Sequence, residues 1–198
     1  MNIERLRELV EKSVSPNQVI LKEIWDYCDG YYSPYYGLMY RLAQDLMSNA
    51  FASGDGVPPV FVELGVEGGR ASHAMLQGGA IVIGVDSNHN PRLNRIIGHK
   101  NFTFLHTSSM PVPDEIEDGG PNIAVLHIDT EHSYSMAKSE FEAYKHLLIN
   151  GAVVLFDDTN AMEGEVLRYV KELPYDKIVD DRLHPSCGYA GLIFQDNV

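Results

Sequence analysis

Five short apolar runs, alternating with helical segments, constrain this chain more than any other feature of it. Val60-Phe-Val-Glu-Leu64, Ala80-Ile-Val-Ile-Gly-Val85, Phe102-Thr-Phe-Leu-His106, Ile123-Ala-Val-Leu-His-Ile128 and Ala152-Val-Val-Leu-Phe156 are rich in β-branched and aromatic residues. Near-continuous apolar strands separated by helices are what a parallel sheet covered on both faces requires. Helices are expected at Arg70 to Gln77, Pro91 to Ile97, Ser135 to Leu148 and Glu163 to Leu173. Met110 to Pro121, rich in Pro, Gly and acid, is expected to be mostly loop. Lys177-Ile-Val-Asp180 and Tyr189-Ala-Gly-Leu-Ile-Phe194 fit a closing antiparallel pair. The expected fold is α/β: a doubly wound seven-stranded sheet, mostly parallel, with an antiparallel C-terminal strand.

The first fifty residues keep a different rhythm. Ile3, Leu6, Leu9 and Val10, then Val19, Ile20, Ile24 and Trp25, recur at helical spacing, with a break at Ser15-Pro16-Asn17. The tyrosine-dense stretch Tyr31 to Tyr40 opens a further helix through about Phe51, with Pro34 in its first turn, and Ala52 to Pro59 is a loop. At 198 residues the chain is expected to be one domain, 1–198, with N-terminal helices over 1–52 and an α/β core over 60–195. A net charge of −13 means that counterion release cannot drive binding to a nucleic-acid backbone. The longest apolar runs fall far short of the roughly 20 residues of a membrane span, and the N-terminus lacks the pattern of a signal peptide. A cytoplasmic location with neither nucleic acid nor membrane as partner is therefore expected. Cys28 and Cys187 are too few and too far apart for a metal knuckle or a disulfide framework.

Carboxylates end four of the five strands: Glu63, Asp86, Asp129, and Asp157 with Asp158. In an open α/β sheet, ligands bind beyond the carboxyl ends of the strands where strand order reverses, so these acids are expected to converge. Helix capping by acids after strands is the alternative. Gly65-Val-Glu-Gly-Gly-Arg70 lets the backbone turn sharply, but it is not Gly-x-Gly-x-x-Gly, and no Gly-Lys-Ser/Thr follows. Glu67 within it would repel a pyrophosphate and tolerate a cationic ligand. Asp86, 23 residues after Glu63, is placed to accept hydrogen bonds from ribose hydroxyls.

Val62-Glu-Leu-Gly-Val-Glu-Gly-Gly-Arg70, Ile83-Gly-Val-Asp86, His127-Ile-Asp-Thr-Glu-His-Ser-Tyr134 and Gly151-Ala-Val-Val-Leu-Phe-Asp-Asp158 together resemble the class I S-adenosylmethionine-dependent methyltransferases. The resemblance is to small O-methyltransferases of the catechol and macrocin type, and to a bacterial group with an Asp-x-x-His-Ser-Tyr segment. It covers roughly residues 60 to 195 and implies a Rossmann-like sheet. It further implies that Glu63 and Gly65 lie against the methionine part of the cofactor and that Gly69 allows close backbone approach. Asp86 would hold the ribose, and Thr107 or Ser108 would border the adenine. The catechol-type pattern has Ser where Ala71 stands, so either Ser72 substitutes for it or backbone amides suffice. Tyr35, Tyr36 and Gly37 lie where such enzymes place a helix over cofactor and substrate.

Similar metal-dependent enzymes use one acid after the fourth strand and two adjacent acid or amide residues after the fifth, which implies Asp129, Asp157 and Asp158 as ligands. Their hard oxygens suit Mg²⁺, Mn²⁺ or Ca²⁺, and such an ion lowers the pKa of a coordinated hydroxyl. Consecutive strand residues point to opposite faces, so both Asp157 and Asp158 reach one ion only if the strand ends between them; otherwise one caps the next helix. His132, three positions after Asp129, is either a general base or a residue that merely opens a helix. His127 reads as a core histidine, and His184 shows no ligand spacing. The expected activity is metal-assisted O-methylation of a small hydroxylated acceptor, with Asp129 and His132 catalytic. A catalytically silent cofactor-binding or assembly subunit, or a relative of the same fold with different chemistry, are the alternatives. The short insert after the fifth strand suggests an open acceptor site completed in a homodimer.

Overall fold

The computed structural model describes residues 1–15, 21–30, 33–53, 58–120 and 122–196. The expected break at Pro16 and Asn17, the apolar positions Val19 and Ile20, Tyr31, Tyr32 and the loop positions 54–57 lie outside these residues. Helix α1 (Ile3–Val14) begins where the Asn2 side chain accepts from Arg5 N, and it buries Leu6, Leu9 and Val10 along one stripe. It is followed by α2 (Lys22–Tyr27) and by α3 (Pro34–Ser53), whose first position suits the missing N–H of Pro34.

The remaining chain alternates as the apolar runs require: β1 (Val60–Leu64), α4 (Arg70–Gln77), β2 (Ile81–Asp86), β3 (Phe102–His106), α5 (Asp114–Glu117), β4 (Ile123–Ile128), α6 (Tyr134–Tyr144), β5 (Leu148–Asp157), α7 (Glu165–Glu172), β6 (Lys177–Val179) and β7 (Tyr189–Ile193). The strand order is β3-β2-β1-β4-β5-β7-β6. The pairs β1–β2, β1–β4, β2–β3 and β4–β5 are parallel, and β7 runs antiparallel to both β5 and β6. This is the Rossmann-like doubly wound sheet that the sequence predicts.

Two expected boundaries move, each for a local reason. Pro91–Arg95 is a 3-10 turn rather than a helix to Ile97, because the Asn90 side chain caps Arg92 N and Gly98, at φ +97, closes the segment. The helix expected to reach Leu148 stops at Tyr144, passes through a 3-10 turn at Lys145–Leu147, and yields Leu148 to β5, where it pairs with Ile123. The loop Met110 to Pro121 contains the single helical turn of α5.

Alternate strand residues feed two cores, as a period of two demands. Phe61, Val125, Val153 and Leu155 pack with α1, α2, α3 and α4. Val62, Leu126, Val154 and Phe156 pack with α5, α6 and α7 on the other face. Every residue of β4 is buried, which is why it reads in sequence as a continuous apolar run. No helix among the described residues is long and apolar enough to cross a membrane.

Candidate active site

The chain leaves neighbouring strands β1 and β4 in opposite directions, and the loops that follow them meet at this switch point. Gly65 N donates to Val85 O and Asp129 N donates to Leu64 O, both at 2.9 Å, so the two loops are sewn to the strand ends. Gly65, at φ +83, packs so closely that a Cβ there would lie 1.8 Å from Asp129 O.

The same alternation that fills the α1–α4 core places Glu63, His127, Asp129 and Asp157 on that face, since they continue the series Phe61, Val125 and Val153. Glu63 pairs with His127 across the two strands; His127 is fully buried, and its Nδ1 lies 3.5 Å from Glu63 Oε1. Burial opposes protonation of His127, but the hydrogen bond and charge of Glu63, aided by Asp129 and Asp157, outweigh it and raise its pKa. Tyr35, at the start of α3, roofs this row, with its ring 6.5 Å from His127, 5.0 Å from His184 and 5.3 Å from Tyr189.

Above the row opens a cleft of about 660 Å³, a volume within the usual range for small-molecule sites. Of the residues singled out in the sequence, it is lined by Gly65, Asp86, Ser108, Asp129 and His132, together with Asp157 and Asp158. Tyr35, Tyr36 and His184 complete the wall nearest the aspartates. Glu63, Gly69, Ser72 and Thr107 are not part of the lining. Ser72 is buried and its hydroxyl donates to Glu63. Gly69 caps α4 in the left-handed region, where a Cβ would press on Leu93 and Ile96 at 2.7 and 2.8 Å. Thr107 is exposed beyond β3.

Asp86 is held ready at the end of β2: Glu67 N donates to Oδ2 and Asn88 N donates to Oδ1, each at 2.8 Å. A second clamp escaped sequence reasoning. Buried Glu140, on α6, accepts from Ser109 Oγ at 2.6 Å and from Thr130 Oγ1 at 2.7 Å, which ties the loop after β3 to the loop after β4. Nothing in the helical pattern of α6 singles out this residue.

At the other end of the cleft, β5 ends at Asp157, and Asp158 turns to φ +52. That left-handed residue is the strand ending required for two consecutive side chains to serve one site. Asp157 Oδ1 accepts from Asp158 N and from His184 Nδ1, both at 2.8 Å. His132 Nε2 lies 2.9 Å from Asp158 Oδ2 and 3.6 Å from Asp129 Oδ1. Burial, with the charge of Asp157, pushes the Asp129 carboxyl up to about 7 against the opposing hydrogen bond of His132. Hydrogen bonds to Asp129 and Asp158 raise His132 to about 10, and the His132 contact in turn lowers Asp158. Ligand atoms within 4.8 Å of one another pair Asp129 and Asp157 with His127, and Asp129 and Asp158 with His132. Asp129 is thus shared, and each of the other two aspartates meets it beside a different histidine.

The crevice at the switch point is thus bordered by a strand-end carboxylate on one side and an aspartate–histidine cluster on the other. Residues 62–159, just under half of the chain, match the family described as a methyltransferase domain. No curated protein matches the sequence. Among solved structures, CalS11, a TDP-rhamnose 3'-O-methyltransferase of calicheamicin biosynthesis, is 19% identical with a TM-score of 0.57, over 98% of this chain and 93% of that one. A putative caffeoyl-CoA O-methyltransferase from Staphylococcus aureus is 17% identical with a TM-score of 0.58, over 98% and 92%. The 1,6-didemethyltoxoflavin-N1-methyltransferase of Burkholderia thailandensis, solved with bound S-adenosylhomocysteine, is 16% identical with a TM-score of 0.52, over 80% and 79%. These likenesses show the fold.

Proposed function

We propose that the protein transfers the methyl group of S-adenosylmethionine to a hydroxyl oxygen of a small acceptor, assisted by a hard divalent cation. The observation that carries this reading is that the Asp86 carboxylate and the carboxylates of Asp129, Asp157 and Asp158 border one cleft. The first suits ribose hydroxyls, and the second group offers the oxygen donors that Mg²⁺ or Mn²⁺ prefers. Burial first, and the charge of Asp157 second, push the Asp129 carboxyl up to about 7, and added positive charge beside it favours the ionised form. The O-methyltransferases among the structural neighbours support oxygen as the acceptor atom.

Asp129, with Asp157 and Asp158 to either side of it, would hold a divalent ion, which would supply the acidity that makes an acceptor hydroxyl nucleophilic. Methyl transfer forms the C–O bond as the C–S bond breaks, so the chain's task is to hold the two reactants in line. Asp86 anchors the nucleoside end, the Gly65 turn brings the β1 loop against Asp129, and Tyr35 and Tyr36 wall the cleft. His132 is protonated at neutral pH while both carboxylates hold it. With Asp129 and Asp158 engaged elsewhere, it loses those partners and becomes a base for the acceptor proton.

The test is an acceptor screen with methyl-labelled S-adenosylmethionine, run with and without a chelator and with Asp157→Ala. Label transfer to a hydroxylated acceptor that is abolished by chelation and by the substitution is expected. Transfer that survives both overturns the metal assignment, and failure of millimolar cofactor to raise Tm overturns the methyltransferase reading.

A further inference from the structure

The turn His184-Pro-Ser-Cys-Gly188 lies across the loop that follows β5. Cys187 N and Gly188 N both donate to His184 O, at 3.1 and 2.7 Å, so the chain folds back between His184 and Cys187. The turn is pinned from below: Asn160 N donates to Cys187 O at 2.6 Å and Thr159 N donates to Gly188 O at 3.4 Å. A Cβ on Gly188, at φ +78, would come within 2.5 Å of Thr159 Oγ1, so only glycine lets the two loops meet. Asp158 immediately precedes the residues that make this junction. One ligand atom each from Asp158, His184 and Cys187 lie within 4.8 Å of one another.

His184 presents its Nδ1 edge to both carboxylates, 2.8 Å from Asp157 Oδ1 and 3.8 Å from Asp158 Oδ1. His184 lines the cleft, so an ion on it would face the open volume.

We propose that Asp158, His184 and Cys187 form a second cation site, selective for a thiophilic divalent ion such as Zn²⁺, with a fourth position open to the cleft. One oxygen, one nitrogen and one sulfur make a borderline-soft donor set, unlike the all-oxygen set of Asp129, Asp157 and Asp158. Binding forms metal–oxygen, metal–nitrogen and metal–sulfur bonds and releases the thiol proton to solvent, with no change in oxidation state. Asp158 belongs to both clusters, so an ion at this site withdraws it from Asp129 and His132. Inhibition of methyl transfer by Zn²⁺ follows, and only that consequence rests on the proposed function.

The test titrates the full chain with Co²⁺ as a spectroscopic probe and then with Zn²⁺. A thiolate-to-cobalt charge-transfer absorption is expected in the unsubstituted protein and is displaced by Zn²⁺. It persists in Cys28→Ser, whose target is the buried cysteine beyond α2, and disappears in Cys187→Ser. Zn²⁺ affinity, measured by calorimetry, falls at least ~10-fold in His184→Gln. Absence of the band in the unsubstituted protein or its survival in Cys187→Ser overturns the site. Stabilisation by S-adenosylmethionine, measured on the same samples, tests the methyltransferase reading separately.

Discussion

Gly65 and Asp129 sit in van der Waals conflict with any side chain but hydrogen: a Cβ on the glycine would lie 1.8 Å from the aspartate carbonyl oxygen and 2.5 Å from its carbonyl carbon. The loop after β1 and the loop after β4 are therefore set against each other, backbone to backbone, at the point where strand order reverses. Positioning of Asp129 depends on a residue that contributes no side chain.

Gly65→Ala is expected to cost more than about 3 kcal/mol, because the clash is with backbone and φ +83 is disfavoured for alanine. Gly98→Ala supplies the control. At φ +97 with nothing within 4 Å of the added Cβ, it loses only the conformational preference, about 1–2 kcal/mol. Urea unfolding of both variants separates the two contributions, and equal losses would show that the Gly65–Asp129 contact is not what demands glycine.

Asp86→Asn is expected to weaken S-adenosylmethionine binding about 10- to 100-fold. Two backbone amides already fix the carboxylate, so its remaining acceptor capacity faces the cleft, and hydrogen bonds to a charged acceptor contribute about 1.5–3 kcal/mol. Calorimetric titration of the cofactor checks this. An unchanged Kd would remove Asp86 from the ribose site.

The sheet was legible because its central strands are buried on both faces, so Ile123 to Ile128 carries its assignment in composition alone. The convergence of Asp86, Asp129, Asp157 and Asp158 was legible too, since topology brings strand ends together whatever the side-chain detail. What escaped the sequence depends on conformation or on distant chain. Asp158 shares a site with Asp157 because it adopts φ +52, a choice no motif announces. His184 reaches Asp157 from 27 residues away, out of the β6–β7 connection, a contact that no local spacing announces. Ser72, read from its position as a cofactor contact, is turned inward to Glu63. Helix ends shifted where 3-10 turns and early strand pairing took over, at Pro91–Arg95 and at Lys145–Leu148.

Glu140→Ala is expected to destabilise by about 2–3 kcal/mol and to raise KM for the cofactor, since Ser109 and Thr130 lose the carboxylate that joins their loops. Glu140→Gln keeps one acceptor and gains a donor for the second hydroxyl, and its loss is under about 1 kcal/mol. Burial raises the Glu140 pKa, so the ionised form is what the fold disfavours. The native protein therefore loses stability relative to Glu140→Gln as pH rises above the unfolded carboxyl value of 4.5. Calorimetric melts of both variants between acid and neutral pH check the order and the trend.

His132 supplies the alkaline counterpart. Its folded pKa, raised to about 10 by hydrogen bonds to Asp129 and Asp158, lies above the ordinary 6.5. Between 6.5 and about 10 only the folded chain holds the proton, so stability falls with every step in pH until the folded group titrates as well. Below about 7 Asp129 itself takes up a proton, and Asp158 alone then holds the imidazolium. The Tm difference between the native protein and His132→Gln is expected to shrink from pH 7 toward pH 10, in chelator and without cofactor. Millimolar Mg²⁺ should compress the same difference, because carboxylates engaged by the ion no longer hold the imidazolium. A Tm difference independent of pH would show that the His132 proton is not shared with Asp129 and Asp158, and with it the route by which this residue becomes a base would fall.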